Sequence, residues 1–286
     1  MAVRGKSINL FLMDGEASGR IKCSLTNWTG IAYKIPRTEI DISKNIEHLS
    51  YSGVYFLFGT SENGDDVVYI GQARTRKSGS GLLGRVLEQH PTIDYWTEAV
   101  LLTTRDDYFG PTEISYLENR FYNMAKEVGR YSVVNGNDPS PGKLTEEKES
   151  ELEEFIDYAL IVIGALGYKV LTPIVSKGNN STLDAEPILY MQRGEAKATG
   201  IRTAEGFAIL KGSQLSAKLV KSCPEIARKY REKYSSKINE KFVLTDDVLV
   251  SSPSAAAAFV GGASISGNEV WQTKDGVKLK DCDLKE

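Results

Sequence analysis

Residues 53–71 have the sequence GVYFLFGTSENGDDVVYIG, and this stretch decides the fold of the first part of the chain. It contains two short strand-forming runs, GVYFLF and VVYIG, joined by a loop with an Asn63-Gly64 turn signal. Strand side chains alternate between the two faces of a sheet, so an antiparallel hairpin can bring Tyr55 and Tyr69 side by side. The spacing predicts the hairpin but leaves its register open.

The segments that follow this hairpin supply charged candidates for a site. A basic, Gly/Ser-rich loop, QARTRKSGSG, leads into a predicted helix at residues 82–90 that carries Arg85. A strand at residues 98–104 and a second helix come next. Glu118 lies beside the apolar stripe of this second helix, where a carboxylate is costly unless it is paired or coordinated. The sequence therefore predicts a polar site built around the hairpin.

The order of these motifs resembles the GIY-YIG nuclease family over residues 51–137. Gly53-Val54-Tyr55 stands in place of the first family triplet, and Tyr69-Ile70-Gly71 matches the second. The helix arginine, the glutamate on the following helix and an asparagine after a short strand, YSVVNGN, come in the family's order. The resemblance implies a small domain of the α/β (α+β) class, with a central antiparallel sheet flanked by helices.

The resemblance also implies a role for each matching residue. Tyr55 would be the general base or the residue that orients the attacking water, with Tyr69 as its partner. Arg85 would clamp the phosphate. Glu118 would be the ligand of a single metal ion.

Two further positions are implied less directly by the resemblance. Asn135 would be the family's strand-end asparagine, although Asn137 competes for that position. Many family members carry a histidine or tyrosine after the arginine, and His90 is the candidate here. By helical geometry His90 lies about 140° around the helix from Arg85, so it joins the site only where Pro91 breaks the helix.

The chemistry of phosphodiester hydrolysis limits the choice of metal and base. Two histidines and three widely spaced cysteines give no metal-ligand pattern, so a metal ion must be coordinated mainly by carboxylate oxygens. Oxygen ligands favour Mg²⁺ or Mn²⁺, with Glu118 as the predicted ligand. A phenol with a pKa of about 10 is a poor base at neutral pH. We therefore expect the pKa of Tyr55 to be lowered by Arg85 and a bound metal.

The formal net charge of −3 hides an uneven distribution of charge. The loop residues Arg74, Arg76 and Lys77 are basic without a neighbouring acid, and we expect them to contact nucleic acid. Residues 146–157 carry seven acidic side chains and one lysine, whereas residues 211–241 carry nine basic side chains and three acidic ones. The second basic zone either follows a phosphate backbone or is a solvated helix face.

Composition and the resemblance together predict four segments. They are an N-terminal hairpin extension at 1–50, a segment at 51–138 that resembles the GIY-YIG nuclease domain, an acidic amphipathic helix with a linker at 139–199, and a smaller α+β domain at 200–286. The last segment resembles a C-terminal domain of unknown function that is often appended to GIY-YIG nucleases. The matching runs are GFAILKGS, SSPSAAAAFVGG and EVWQTKDGVKL, the last of which predicts a hairpin.

The resemblance and its matching residues together imply a metal-dependent endonuclease that acts on nucleic acid, with DNA favoured as the substrate. The N-terminus carries no signal peptide, and the most apolar run, ALIVIGALG, is far below the ~20 residues that span a bilayer. We therefore expect a cytoplasmic protein with no membrane partner. The alternatives are a nucleic-acid-binding protein without turnover and a protein that recruits a partner. A partner or a second copy of the chain would bind through the C-terminal domain.

Overall fold

The structure is a computed structural model that describes residues 4–75, 80–89, 93–175 and 186–282. The chain divides into an N-terminal unit, residues 2–172, and a C-terminal unit, residues 173–286. The first unit contains a large central sheet flanked by helices, and the second contains a separate four-stranded sheet with short helices. The predicted fold class is confirmed.

A seven-stranded sheet forms the centre of the N-terminal unit, with the strand order β1-β2-β3-β6-β4-β5-β7. Neighbouring strands are antiparallel, except that β5 and β7 are parallel. The strands are β1 (Ile8–Leu12), β2 (Ile21–Leu25), β3 (Gly30–Pro36), β4 (Gly53–Thr60), β5 (Asp66–Ala73), β6 (Trp96–Thr104) and β7 (Ser132–Val133). The predicted tyrosine hairpin is the pair β4–β5, and β4 lies between β5 and β6.

Three helices cover the two faces of this sheet: α1 (Leu82–Gln89), α2 (Pro111–Val128) and α3 (Glu146–Ala165). Alternation along β4 sends Tyr55 and Leu57 to the face covered by α1, where Leu82 and Val86 are buried. The other face packs against α2 and α3, and its core includes Phe56 and Phe121. Both faces of the central strands are therefore buried, which fixes their register.

The N-terminal hairpin belongs to the same sheet as the tyrosine hairpin. Strand β3 pairs with β6 along its whole length, from Gly30 opposite Thr104 to Pro36 opposite Glu98. The sheet thus runs across the boundary predicted at residues 50/51. This pairing joins segments far apart in the sequence, and no local pattern in either segment indicates it.

The C-terminal unit contains an antiparallel sheet with the order β11-β10-β9-β8. Its strands and helices are β8 (Leu189–Arg193), β9 (Ala196–Thr203), β10 (Gly206–Ile209), β11 (Val248–Val250), α4 (Glu225–Lys233), α5 (Pro253–Gly261), α6 (Gly267–Val270) and α7 (Leu279–Cys282). Phe207, Phe259 and Trp271 are fully buried in the core of this unit.

Two details of this unit differ from the sequence-based expectation. Residues 189–199, assigned to the linker, form β8 and the start of β9, whereas residues 176–185 lie outside the described ranges. The predicted closing hairpin is short: a bridge joins Gln272 to Lys278, Thr273 donates to Val277 and Leu279 donates to Trp271, and α6 and α7 take up the residues on either side. In the part of the chain that the structure describes, no helix is long and apolar enough to cross a bilayer.

Candidate active site

The two tyrosines of the central hairpin stack over a glycine. In the β4–β5 register Tyr55 pairs with Gly71, which places Tyr69 diagonally next to Tyr55. Their ring centroids are 6.1 Å apart and the rings are inclined by 24°. A Cβ atom at Gly71 would lie 2.4 Å from the hydroxyl oxygen and Cζ of Tyr55. The glycine of the second triplet therefore provides the space that the tyrosine of the first triplet occupies.

The protonation state of Tyr55 differs from the expectation. Burial raises the pKa of the Tyr55 hydroxyl, and the neighbouring Tyr69 raises it further, while Arg85 lowers it only in part. Burial therefore opposes the lowered pKa that was expected with Arg85 and a bound metal, because only 1% of Tyr55 is exposed. Tyr95, which sequence analysis missed, lies beside Tyr69, and burial raises its pKa to about 12.

Arg85 lies on α1, on the tyrosine side of the sheet. Its guanidinium is half exposed and donates a hydrogen bond from Nη1 to Oε2 of Glu88, over 3.1 Å. Its positive charge lowers the pKa of both the Tyr55 hydroxyl and the Glu118 carboxyl. A half-exposed guanidinium with a single carboxylate partner on its own helix retains donors for an incoming phosphate.

Glu118 lies on α2 and is half buried beside the outer edge of β5. It accepts a hydrogen bond from Nε2 of Gln72 over 2.9 Å, and Oε1 of Gln72 accepts one from Ser115 over 3.2 Å. Burial raises the pKa of the Glu118 carboxyl, whereas Gln72 and the charge of Arg85 lower it only in part. The carboxylate expected to need a partner therefore has one, but that partner is neutral.

Sequence analysis missed Gln72 and a polar network at the start of β4. Gln72 directly follows the second triplet, and its position in the alternation directs it toward α2.

In the polar network at the start of β4, Asp107 accepts hydrogen bonds from the backbone of Ser52 and from the hydroxyl of Thr75, over 2.8 and 2.9 Å. Asp107 adopts a left-handed backbone with φ of 51°. The network ties the start of β4 to the residues that leave β5 for the basic loop.

Asn135 binds the middle residue of the second triplet. Its Oδ1 accepts a hydrogen bond from the backbone N–H of Ile70 over 3.1 Å, and its Nδ2 donates to the Ile70 carbonyl over 2.6 Å. These two bonds continue the β5–β7 ladder beyond Val133, where β7 ends. Asn137, the competing candidate, is exposed. The structure therefore places Asn135 at the site as a residue that positions β5.

The site offers one carboxylate to a divalent cation. Within residues 4–75, 80–89, 93–175 and 186–282, no group of three or more His, Cys, Asp or Glu side chains could hold a metal. A half-buried carboxylate with a raised pKa gains from a cation, and Mg²⁺ commonly binds through one carboxylate while keeping several waters. Glu118 therefore fits a single-ligand Mg²⁺ or Mn²⁺ site.

Comparison with known proteins identifies the C-terminal unit alone. Residues 189–283 match the model of DUF4357, a domain of unknown function. No curated protein and no solved structure matches the chain. The expected C-terminal domain of unknown function is thus confirmed, and it begins about ten residues earlier than the sequence suggested. No GIY-YIG family model matches, so that resemblance stays a prediction.

The DUF4357 domain uses an arginine of its basic helix for packing. Arg231 donates hydrogen bonds to the carbonyls of Phe259, Val260 and Ser216 over 2.7, 3.2 and 3.0 Å. Burial lowers the pKa of Arg231 to about 10. Arg228 donates to the carbonyl of Val220 over 2.7 Å. Arg231 of the basic zone is therefore committed to packing within the domain, whereas Arg228 is exposed and uses one nitrogen for a backbone carbonyl.

Three of the predicted residues lie outside the described residues: His90, Arg76 and Lys77. Arg74, the remaining predicted contact to nucleic acid, is exposed just after the end of β5. Tyr55, Tyr69, Arg85, Glu118 and Asn135 are all placed on or beside β4 and β5, so the structure brings these five predicted residues together.

Proposed function

We propose that residues 53–135 form a metal-dependent endonuclease site of the GIY-YIG type, which hydrolyses phosphodiester bonds of nucleic acid and favours DNA. The observation that carries the proposal is the placement of Tyr55, Tyr69, Arg85 and Glu118 around strands β4 and β5. Tyr55 stacks on Tyr69, and the charges of Arg85 and Glu118 both act on the hydroxyl of Tyr55. A packing tyrosine alone requires neither a half-buried acid nor an arginine at this position.

Arg85 binds the scissile phosphate in this proposal. Its guanidinium exchanges part of its contact with Glu88 for the nonbridging phosphate oxygens, which accept two parallel hydrogen bonds. The pair with Glu88 is half exposed, so it is weak and costs little to exchange. The exposed Arg74 after β5 adds a second phosphate contact further along the strand.

Glu118 is the residue that would hold Mg²⁺ or Mn²⁺, with Gln72 orienting its carboxylate. The cation supplies Lewis acidity, which stabilises charge on the phosphate during attack. Tyr55 acts in its neutral form because its pKa is raised, so its hydroxyl orients the attacking water through a hydrogen bond. Asn135 contributes by fixing Ile70 and therefore the orientation of Tyr69 and Gly71.

The DUF4357 domain serves in this proposal as the module that selects the substrate or a protein partner. Its remaining exposed lysines, such as Lys218 and Lys221, support electrostatic contact with a polyanion. We place this role below the nuclease proposal, because Arg228 and Arg231 of the same basic zone bind backbone carbonyls.

Nicking of supercoiled plasmid tests the nuclease proposal. Wild-type protein should nick DNA with Mg²⁺ or Mn²⁺ and should not do so with a chelator. Glu118→Ala and Arg85→Ala should each lower the rate roughly 100-fold or more, since several kcal/mol of charge stabilisation depend on them. Glu127→Ala, on the exposed end of the same helix as Glu118, is the matched control and should cleave normally. Cleavage that survives Glu118→Ala would exclude this metal site.

A nucleic-acid-binding protein without turnover is the second candidate, and the raised pKa of Tyr55 favours it, since a neutral tyrosine is a weak base. This protein would bind DNA or RNA with an affinity that falls steeply as salt rises, but would cut neither. Binding that is insensitive to salt, together with no cleavage, would instead indicate a protein-docking module.

A further inference from the structure

The exposed outer edge of the seven-stranded sheet is formed by β1, Ile8–Leu12. Three consecutive apolar residues of this strand are exposed: Leu10 by 46%, Phe11 by 60% and Leu12 by 38%. Soluble proteins commonly protect edge strands with a lysine, a proline or a bulge, and the sequence INLFL contains none of the protective residues. The edge is therefore suited to pair with another strand.

The hydrogen-bond pattern shows which residues of β1 face outward. Met13 donates to the carbonyl of Arg20, and Thr26 donates to the carbonyl of Ser7, so Ser7 and Met13 direct their backbone groups toward β2. Along an antiparallel strand this direction alternates at every residue. Ile8, Leu10 and Leu12 therefore direct their N–H and C=O groups toward the free edge.

We infer that β1 pairs with β1 of a second copy of this chain, antiparallel and about a two-fold axis at Leu10. This register sets Leu10 opposite Leu10 and Ile8 opposite Leu12, so that every outward-facing residue of the strand meets an outward-facing residue. The sheets of the two copies become continuous, and each matched pair exchanges two N–H···O bonds. A closed two-fold interface of this kind is isologous and leaves no further free edge on β1.

The charges that flank β1 favour a second copy over an unrelated strand. Arg4 and Lys6 precede the strand, and Asp14 and Glu16 follow it, each set at the same distance from Leu10. Antiparallel pairing about Leu10 brings the basic end of one β1 beside the acidic turn of the other, while no charge lies within β1 itself. Within each copy Asp14 also pairs with Arg20 and Lys6 lies over the Tyr158 ring, so these charges act between copies at longer range. Parallel pairing would instead bring like charges together, which is unfavourable.

In the proposed dimer, side chains of β1 extend the core on the α3 face of the sheet across the β1–β1 interface. Leu10 pairs with the buried Cys23 of β2, so Ile8, Leu10 and Leu12 lie on the face covered by α3. In the dimer these residues face their counterparts and bury apolar surface that is exposed in one copy. Phe11, on the opposite face, lies opposite Asn9 of the second copy.

Sedimentation of the full chain over about a hundredfold range of concentration tests the inference, because a dimer gains population by mass action. Wild-type protein should form dimers, and Leu10→Lys should weaken them about tenfold or more by setting two cations face to face. Ile42→Lys, which changes an apolar residue exposed by 58% outside β1, is the control and should dimerise normally. A monomeric wild type, or a Leu10→Lys variant that still dimerises normally, would overturn the inference.

Two further experiments test the register. Arg4→Glu should weaken the dimer, and adding Glu16→Arg should restore it. In a Cys282→Ser background, Leu10→Cys should form a disulfide between copies on oxidation, since directly opposed residues have Cα atoms about 5.5 Å apart. Leu12→Cys should not, because its counterparts are displaced by four residues along the strand. Cross-linking at position 12 instead of position 10 would exclude the proposed axis.

Discussion

At the scale of single residues, Gly71 determines whether Tyr55 can occupy its position. A Cβ at Gly71 would lie 2.4 Å from the Tyr55 ring, so Gly71→Ala must displace the tyrosine. We expect the free energy of unfolding to fall by about 1–3 kcal/mol, as in other overpacked sites. Urea denaturation measures this change. Gly136→Ala, where a Cβ meets no atom within 4 Å, is the control, and equal losses in both variants would contradict the explanation.

The buried carboxylate of Glu118 is expected to lower the stability of the fold while it serves the proposed nuclease activity. Burial raises its pKa above the ordinary value of 4.5, so the ionised carboxylate lowers the stability of the folded protein at neutral pH. Glu118→Gln should therefore raise the free energy of unfolding at pH 7 in metal-free buffer. The gain should disappear as the pH falls below 4.5, where both the folded and unfolded forms are protonated.

Denaturation of both proteins at pH 7 and pH 4 measures this difference, with chelator present throughout. The same Glu118→Gln variant should lose nuclease activity. A variant less stable than wild type at pH 7 would show that Gln72 and Arg85 compensate the buried charge fully, contrary to the raised pKa.

At the scale of elements, the outer edge of β5 is completed by the side chain of Asn135, because its neighbour β7 ends at Val133. Only Val67 and Val68 pair with β7, and Asn135 then supplies the next two hydrogen bonds to Ile70. Asn135→Ala leaves both Ile70 groups without these partners, so we expect a loss of about 1–3 kcal/mol in the free energy of unfolding. Hydrogen exchange at the Ile70 amide should quicken. Asn137→Ala, at an exposed neighbour, should change neither quantity.

The elements also show what the sequence predicts and what it leaves open. The alternation of Tyr55, Leu57 and their neighbours predicts the β4–β5 hairpin and its faces, because both faces are strongly apolar. Strand β9 is built largely from small residues, including Ala196, Ala198 and Gly200, which carry little hydrophobic signal. Gly200 is required there because a Cβ would lie 2.3 Å from the Phe207 ring, a contact made only in the folded sheet.

The sequence also predicts part of the candidate site from local patterns. Tyr55, Tyr69 and Glu118 follow from strand alternation and from the cost of an acid beside an apolar stripe. The hydrogen bonds of Gln72 and Asn135 were not predicted, since each joins segments separated by more than forty positions. The raised pKa of Tyr55 also depends on its burial in the folded protein, and a short sequence motif does not indicate that burial.

At the scale of the whole molecule, the two units have separate hydrophobic cores. We therefore expect urea to unfold them in two transitions, which hydrogen exchange by mass spectrometry can assign to peptides of each unit. Arg231→Met removes bonds to three carbonyls and should destabilise the DUF4357 domain by about 2 kcal/mol or more.

Comparing a variant in each unit tests whether the two units unfold separately. Arg231→Met should shift only the transition of residues 186–282, whereas Gly71→Ala should shift only that of the N-terminal unit. Lys229→Ala removes an exposed ion pair with Glu225 and should leave both transitions within about 0.5 kcal/mol of wild type. A single transition that moves with both Arg231→Met and Gly71→Ala would show that the units unfold as one.

The bond between Asn135 and Ile70 also has a consequence for synthesis on the ribosome. It joins residues 65 positions apart, so the tyrosine hairpin is translated well before the side chain that completes its outer edge. Until residue 135 emerges, the Ile70 N–H and C=O remain open to another strand. A pause in translation between residues 73 and 135 would therefore extend the time in which the nascent chain can mispair, and slower codons should do least harm after residue 135.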